Sequence, residues 1–364
     1  MPSGLYDLLP PDAEKESRAV AQLLAAFSSF GYSQVSPPLM EFEASLLSGR
    51  GKELSEQTFR LTDPMAHEMM GIRADMTLQV ARIAVSRLAA MPRPLRLCYA
   101  GQILQSRPEA LHSERQLTQA GAELIGSDSI NADVEIIVIA ADSLAQLGIK
   151  DITIDINLPG LVRELCPEAH KDSALQAKIK NAVKQKNVDM AARLPIAGSK
   201  ALASLIEATG PLEKALAVLD GLKIPHTASI RELAAQIARN CPAVKLTLDP
   251  IEYRGFDYHS GISFSIFAKG LRHELGRGGR YIVDGENATG FTIYVTHLLP
   301  LLHALPENKS VIVTQATGAD KLRELRAQGW TTVYALTNNP IEEARLLGIK
   351  FQLAGDSKNI IEIK

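Results

Sequence analysis

The sequence predicts an α+β protein in which an antiparallel sheet is flanked by helices, interrupted by a helical insertion and followed by a small α/β module. Strand-like runs occur on both sides of a central stretch, at about 158–244, in which Ala, Leu, Lys and Glu recur with helical periods. After Pro306, short apolar runs alternate with helical patterns. We therefore expect a core of residues 1–305 that contains the insertion, and a C-terminal module of residues 306–364.

Three helices are predicted in the first part of the core. Apolar residues follow helical spacing after Pro10-Pro11-Asp12, which indicates an amphipathic helix over 12–30 that ends at Gly31. The same periodicity predicts helices over about 76–90 and 131–147. Their apolar faces are the surfaces that a sheet can cover.

Apolar and aromatic runs mark the strands. Leu95–Leu104 and Leu117–Ile125 are separated by a polar connection, Ser106–Glu114, which predicts a hairpin and an antiparallel pair. Strand patterns return after the insertion at Lys245–Leu248, Ile262–Phe267 and Phe291–Val295. In the C-terminal module we expect strands at 311–313, 333–335 and 351–353, with helices around 319–328 and 341–347.

The composition excludes several classes of protein. The 364 residues include 39 basic and 41 acidic side chains, so the chain lacks the excess of positive charge that unspecific nucleic-acid or membrane binding requires. No apolar run reaches the roughly 18 to 20 residues of a membrane helix, and the first residues lack the order of a signal peptide. The 3 cysteines and 8 histidines lack disulfide or metal-ligand spacing. We expect a cytoplasmic protein without a metal ion or cofactor.

The strand at 117–125 is a candidate floor for a ligand. Alternation along a strand places Gln119, Gly121 and Glu123 on one face. A glycine between an amide and a carboxylate leaves room for a small polar ligand against the sheet. The alternative is that this face simply meets solvent, as one side of an antiparallel sheet often does.

A second candidate is the segment Tyr253–Gly261, which is rich in arginine, acid, tyrosine and histidine. Arg254 can bind a carboxylate through two parallel hydrogen bonds, and the rings beside it can hold a planar ligand. The alternative is an ion pair between Arg254 and Asp257 in a structural turn.

Taken in order, these segments resemble the core of class II aminoacyl-tRNA synthetases, and in particular histidyl-tRNA synthetase, over roughly residues 1–305. Gly31–Glu41 resembles motif 1, which forms the dimer interface of that class. The other matches are to the family's opening, to motif 2 and to two histidine-specific motifs, at Gly4–Pro10, Arg96–Gly101, Arg115–Gly126, 254–261 and 278–281. The resemblance implies the class II antiparallel sheet and a homodimer formed through the motif 1 region. We expect Phe27, Phe30 and the strand that carries Val35 and Leu39 to build its self-complementary surface.

The positions that bind ATP in the synthetase are changed. Gln105 stands where motif 2 has its ATP-binding arginine. Motif 3 reads approximately Gly-Phe-Ala-Ile-Gly-x-Glu-Arg in the family, whereas residues 290–297 read GFTIYVTH. Tyr294 then occupies the place of a glycine that leaves space for adenine, and Thr296 and His297 replace the acid and the arginine that meet metal and phosphate. Each such contact is worth about 3 to 4 kcal/mol, so we expect a degenerate ATP site without adenylation.

The amino-acid side of the pocket is better preserved. By position in the motifs, the resemblance implies histidine-binding roles for Thr77, Gln119, Glu123, Arg254, Tyr258 and Tyr281. Asp75 shortens the synthetase's glutamate, and His259 replaces a tyrosine. Together these side chains offer acceptors for an ammonium group, donors for a carboxylate and polar partners for an imidazole.

A synthetase core without adenylation resembles a second family, the regulatory subunits of ATP phosphoribosyltransferase, which pair with the short-form catalytic subunit in the first step of histidine biosynthesis. The stretch after Pro306 is shorter than the synthetase's anticodon-binding domain and has no basic patch for tRNA. The resemblance implies a non-catalytic subunit that the catalytic chain requires for full activity. It also implies feedback control by L-histidine and assembly as a hetero-octamer, with neither nucleic acid nor membrane as a partner.

Two other functions stay open at this point. The first is a divergent enzyme that still activates histidine and transfers it to an RNA or a protein, and histidine-dependent pyrophosphate exchange would reveal it. The second is a stand-alone amino-acid sensor with some other partner. Co-purification with a short phosphoribosyltransferase chain would argue against that sensor.

Overall fold

The computed structural model describes residues 1–47, 54–108, 113–167, 172–252, 260–304, 309–354 and 359–363. The chain divides into two compact units, Met1–His303 and Ala304–Lys364. Within the described ranges, no helix combines the length and the apolar character that crossing a membrane requires.

The first unit alternates strands and helices along the chain. Its strands are β1 (Ser33–Gln34), β2 (Met40–Phe42), β3 (Phe59–Thr62), β4 (Met69–Ile72), β5 (Leu95–Leu104), β6 (Gln116–Ile125), β7 (Ile152–Asn157), β8 (Gly210–Pro211), β9 (Lys245–Asp249), β10 (Ser263–Ala268), β11 (Gly276–Val283) and β12 (Glu286–Tyr294). Its helices are α1 (Asp12–Ser29), α2 (Glu43–Leu46), α3 (Thr77–Ser86), α4 (Ile130–Gln146), α5 (Pro159–Leu165), α6 (Ser173–Lys184), α7 (Val188–Ala192), α8 (Ser199–Ala208), α9 (Leu212–Gly221), α10 (Thr227–Asn240) and α11 (Val295–Leu298).

Most of these strands form one sheet in the order β1-β5-β6-β12-β11-β10-β7-β9-β8, and β2, β4 and β3 form a small second sheet. In the large sheet the neighbouring strands are antiparallel except for the pairs β1–β5 and β7–β9. The predicted hairpin of β5 and β6 is confirmed, with Tyr99 paired to Gly121 and Gly101 to Gln119. This register determines which side chains meet in the site.

One face of the large sheet is covered by α1 and α4. Leu23 and Phe27 of α1 are fully buried, and the ring of Phe27 meets that of Phe291 on β12 edge to face, with 5.4 Å between centroids. Burial of each such side chain is worth about 1.5 to 3 kcal/mol. The helix ends as predicted, because Gly31 adopts φ +85°, a left-handed conformation that glycine tolerates and that stops an α-helix.

The helical insertion is confirmed: α5–α10 lie between β7 and β9, which pair side by side in parallel. β7 itself is not among the predicted strands, although its buried residues Ile152, Ile154 and Ile156 alternate with Thr153 and Asp155 over 6 residues, with the period of a strand.

Two predicted boundaries are wrong. The predicted strand Phe291–Val295 is the second half of β12, whose first half reads Glu-Asn-Ala-Thr-Gly and has low strand propensity. Pairing with β11 on one side and β6 on the other holds that half in the sheet. The predicted helix at 76–90 ends at Ser86 as α3.

The second unit contains β13 (Ser310–Val313), α12 (Ala319–Ala327), β14 (Thr331–Tyr334), α13 (Pro340–Leu346), β15 (Phe351–Leu353) and β16 (Ile360–Glu362). Its strands form a mixed sheet in the order β14-β13-β15-β16, with a parallel pair on each side of β13. The predicted α/β alternation is therefore correct. β16 is not among the predicted strands, because its 3 residues show no period.

Candidate functional site

The centre of the site is the face of β6 that carries Gln119 and Glu123. Both side chains are buried, with 0% and 1% exposure, whereas Ala120, Ala122 and Leu124 of the same strand point into the core beneath α1 and α4. The predicted alternation is correct. The alternative of a solvent-facing strand is wrong, because the two polar groups are enclosed within the unit.

The space above Gly121 is occupied by a side chain of the protein itself. Tyr99, directly across the β5–β6 pair, lies over this glycine, and a Cβ atom there would come within 2.5 Å of the Tyr99 hydroxyl oxygen and closer still to the carbonyl oxygen of Phe291. The expectation that Gly121 leaves room for a ligand is therefore wrong. The glycine instead admits the hydroxyl of Tyr99 between Gln119 and Glu123.

The Tyr99 hydroxyl is the centre of a buried hydrogen-bond network. Its oxygen lies 3.0 Å from Thr77 Oγ1, 3.0 Å from Thr292 Oγ1 and 3.2 Å from Glu123 Oε1. Tyr281 on β11 donates to the other carboxylate oxygen, Oε2, over 2.9 Å. Each oxygen of Glu123 thus has a phenolic partner.

The environment of Glu123 favours its neutral form. Removal from water raises the pKa of this carboxyl group to about 8, and the negative charge of Asp75 adds to the rise. The hydroxyls of Tyr281, Thr77 and Tyr99 act in the opposite direction but do not cancel the burial. A cation placed in the cavity would restore the charged form, because it would replace the lost hydration.

The N-terminus of α3 supplies the opposite wall. Asp75 Oδ1 accepts from the backbone N–H of Thr77 over 2.7 Å, as a carboxylate at the start of a helix often does. The other Asp75 oxygen accepts from Gln119 Nε2 over 2.7 Å, and Gln119 Oε1 accepts from the N–H of Met76 over 3.0 Å. The amide of Gln119 is therefore held at both ends.

These groups border a cavity of about 430 Å³. Of the residues expected to bind histidine, the structure places Asp75, Thr77, Glu123 and Tyr281 on its wall, with Gln119 hydrogen-bonded directly behind them. Arg254, Tyr258 and His259 lie outside the described residues. Further residues on the wall are Asn157, Glu252, Ser263, Ser265, Glu274, Arg277 and Thr292.

The expected ATP positions separate into two groups. Gln105 and Tyr294 border the cavity. Gln105 is 3% exposed, and its side-chain oxygen has no hydrogen-bond partner within the described ranges. The Tyr294 hydroxyl accepts from Arg277, at 2.7 Å from Nη2 and 3.1 Å from Nε, so the ring that replaces a glycine of the synthetase pattern also holds an arginine in place.

Thr296 and His297 do not line this cavity, contrary to their expected place in a degenerate ATP site. The Thr296 hydroxyl accepts from the backbone N–H of Thr118 over 2.9 Å and donates to Glu16 of α1 over 3.1 Å. His297 is buried, and its ring lies 4.9 Å from that of His273, centroid to centroid. Since β12 ends at Tyr294 and α11 begins at the next residue, the chain turns these two side chains away.

Sequence reasoning missed two functional candidates, Tyr99 and Thr292. A signal existed for each. Tyr99 falls within the motif 2 resemblance, on the strand that the hairpin pairs with Gly121, and Thr292 stands where the motif 3 pattern has alanine. Glu274 and Arg277 carried no comparable signal, because their approach to the cavity depends on the turn between β10 and β11.

Comparisons with known proteins show which family the chain resembles. The family described as Histidyl-tRNA synthetase matches residues 4–298. ATP phosphoribosyltransferase regulatory subunits from two bacteria are each 43% identical to the chain. The alignment with the protein from Rhodospirillum centenum covers 92% of this chain and 89% of the relative. The alignment with the protein from Paramagnetospirillum magneticum covers 100% of this chain and 98% of the relative.

The fold has a solved counterpart in the crystal structure of an ATP phosphoribosyltransferase regulatory subunit/histidyl-tRNA synthetase from Bacillus halodurans. That structure superposes with a TM-score of 0.81 at 21% identity and covers 95% of each chain. At that identity it supports the fold alone, which is the expected class II synthetase-like α+β architecture. With a synthetase core, altered ATP positions and full-length relatives that share one description, the chain belongs to the histidyl-tRNA synthetase-like family and, within it, to the regulatory subunits of ATP phosphoribosyltransferase.

Proposed function

We propose that this regulatory subunit binds L-histidine in the cavity above Glu123 and transmits feedback control to the short-form catalytic subunit of ATP phosphoribosyltransferase, in the first step of histidine biosynthesis. In this proposal the catalytic chain also requires the subunit for full activity. The observation that carries the proposal is the fully buried carboxyl group of Glu123 on the floor of the cavity, which has hydroxyl partners but no cation beside it among the described residues.

The charges on the described wall favour a ligand that carries a positive group. Asp75, Glu123, Glu252 and Glu274 contribute carboxylates, while Arg277 is the cation among these wall residues. Burying a carboxylate without a nearby cation is costly. The α-ammonium group of an amino acid would offset that cost at Glu123 and Asp75.

The remaining parts of histidine also have suitable partners. Hydroxyls of Thr77 and Tyr281 lie around the same carboxyl group and can hold an imidazole through its ring nitrogens. Gln119, whose amide is already bonded to Met76, Asp75 and Thr292, supports this wall from behind. For the α-carboxylate we propose Arg254, Tyr258 and His259. A cavity of about 430 Å³ lies within the range of roughly 300 to 1,000 Å³ that is common for small-molecule sites.

The absence of adenylation follows from the nucleotide side of the cavity. Gln105 brings a neutral amide to a place where phosphate binding needs a positive charge, and Tyr294 fills space with its ring. Thr296 and His297 bond or pack elsewhere. Phosphoryl and adenylyl transfer depend almost entirely on positioning and charge stabilisation. A site that lacks the charged side chains of the synthetase's ATP site is therefore not expected to catalyse adenylation.

We also propose that the subunit forms a homodimer through its motif 1 region, as part of a hetero-octamer with the catalytic chain. Leu39, near the end of this stretch, and Phe42, directly after it, are 49% and 41% exposed. Phe27 was expected to share in this surface, but it is fully buried against Phe291 and cannot take part. Apolar side chains exposed close together commonly mark an interface.

Titration of the purified protein with L-histidine in a calorimeter tests the binding proposal, with histidinol and histamine as ligands that lack the carboxylate. The catalytic assay of the short-form subunit, with and without this chain and with increasing histidine, tests the regulatory proposal. We expect saturable binding, activation without histidine and inhibition by histidine. Absence of binding, or histidine-dependent pyrophosphate exchange by this chain alone, would contradict the proposal.

A further inference from the structure

We infer that Thr292 is a positioning residue that acts through Tyr99 to prepare the carboxylate of Glu123 for a cationic ligand. The inference rests on the proposed histidine site and adds to it a residue outside the expected histidine-binding set. Thr292 replaces the alanine of the motif 3 pattern, so its hydroxyl is an addition at the floor of the cavity.

Thr292 belongs to a continuous row of hydrogen bonds that begins at a group that can only donate. The row runs from Met76 through Gln119, Thr292 and Tyr99 to Glu123. The backbone N–H of Met76 donates to Gln119 Oε1 over 3.0 Å, which assigns the orientation of the amide. Gln119 Nε2 is then the donor end, and it bonds to Asp75 Oδ2 over 2.7 Å and to Thr292 Oγ1 over 2.9 Å. Thr292 therefore accepts at this contact and keeps its own proton for another partner.

The row ends at a group that accepts when ionised. Thr292 Oγ1 lies 3.0 Å from the Tyr99 hydroxyl oxygen, which lies 3.2 Å from Glu123 Oε1. One direction serves every member of the row: Thr292 donates to Tyr99, and Tyr99 donates to the carboxylate. In the reverse direction Tyr99 would donate to Thr292 and could not donate to Glu123 Oε1.

The surrounding backbone leaves little freedom for another arrangement. A Cβ atom at Gly121 would lie 2.5 Å from the Tyr99 hydroxyl oxygen, and one at Gly290 would overlap the carboxylate of Glu123. Both glycines thus let these side chains lie directly against the strands. A hydroxyl that already accepts a hydrogen bond is a stronger donor, since hydrogen bonds in a chain polarise one another at low dielectric.

The groups that face Glu123 come from several elements. Asp75 and Thr77 face it from the start of α3, Tyr99 from β5 and Tyr281 from β11. β12 contributes Gly290 and Thr292, neither of which titrates. The other described charged residues on the cavity wall are Glu252, Glu274 and Arg277.

Because burial raises the pKa of Glu123 to about 8, its hydrogen-bond donors decide how readily it becomes a carboxylate at neutral pH. Loss of the Thr292 hydroxyl would weaken the donor at Oε1 and raise this pKa further. Histidine binding would then suffer most at neutral pH and recover in alkaline buffer.

The test is calorimetric titration of L-histidine against wild type, Thr292→Val and Thr292→Ser between pH 6.5 and 9. For Thr292→Val we expect about tenfold weaker binding at pH 7 and an upward shift of about half a pH unit in the midpoint of the pH dependence. Thr292→Ser keeps the hydroxyl and should restore both. Thr289→Val is the matched control, because it removes a hydroxyl from the opposite, fully buried face of the same strand.

Infrared difference spectra of the unliganded protein, with Glu123→Gln to assign the carboxyl band, give a readout that does not need histidine. A higher midpoint for protonation in Thr292→Val supports the inference. An unchanged midpoint overturns it, as does a uniform loss of affinity at every pH, which would indicate a merely structural role. If wild type fails to bind histidine, both proposals are wrong; if binding is lost in Glu123→Ala but unaltered in Thr292→Val, only this inference is wrong.

Discussion

The amino-acid side and the nucleotide side of the cavity have changed in different ways from the synthetase pattern that they resemble. On the amino-acid side, buried polar groups such as Gln119, Glu123 and Tyr281 hold one another through short hydrogen bonds. On the nucleotide side, Gln105 and Tyr294 are neutral, and Thr296 serves as a link to α1. The polar groups expected to bind the amino acid are thus kept while the positions expected to bind ATP are altered, although the two sides adjoin: Tyr294 pairs directly with Gln119 in the sheet.

The largest effect is expected from removing the charge at the floor of the amino-acid side. Glu123→Ala takes away the group proposed to meet the ammonium of histidine, and losing one partner of a buried charge pair costs about 2 to 5 kcal/mol, or at least thirtyfold in affinity. Calorimetric titration measures the loss, and the catalytic assay should show an assembled enzyme that is insensitive to histidine yet still activated. Unchanged inhibition in a folded variant would place the effector site elsewhere.

A matched pair of hydroxyl deletions compares the two sides directly. Tyr281→Phe removes the donor to Glu123 Oε2, and a hydrogen bond to a charged group is worth about 1.5 to 3 kcal/mol, so histidine should bind at least tenfold more weakly. Tyr294→Phe removes a hydroxyl that accepts from Arg277 on the nucleotide side, and histidine affinity should change by less than about threefold. Equal losses in both variants would mean that the cavity acts as one site.

The raised pKa of Glu123 predicts a pH dependence of stability. The folded state holds this proton up to about pH 8, whereas an unfolded carboxyl releases it near its ordinary value of 4.5. The contribution to the free energy of unfolding is therefore complete below the unfolded value and is lost as the pH rises through about 8. Urea unfolding at pH 5 and pH 8.5 should show a smaller decline in Glu123→Gln than in wild type, and parallel declines would contradict the environment described for Glu123.

The smallest effect is expected from restoring one nucleotide contact. Gln105→Arg returns the charge that motif 2 has in the synthetase, but Tyr294 still fills its place, and Thr296 and His297 face away from the cavity. Histidine-dependent pyrophosphate exchange should stay undetectable. Measurable exchange would show that a single residue separates this chain from catalysis, and that the nucleotide side is less altered than its contacts indicate.

Much of the fold was accessible from local patterns. The period of β6 separated Gln119 and Glu123 from the alanines of the core, and the insertion was visible as a change of period between strand-like runs. The missed elements differ in kind: β16 has only 3 residues, too few for a period, whereas β7 shows strand alternation over 6 residues and was within reach of the sequence. The first half of β12 is a strand because both of its neighbours pair with it.

The fold class, the family resemblance and the two polar groups of β6 were predictable without a structure, because they depend on motif order and on the strict two-residue alternation of a strand. What occupies the space between those groups depends on long-range packing. The position of Tyr99 over Gly121 depends on strand register, its contact with Thr292 on the packing of β12 beside β6, and the outward turn of Thr296 on the end of β12. Contacts between residues as far apart in the chain as Tyr99 and Thr292 arise only when the sheet closes around them.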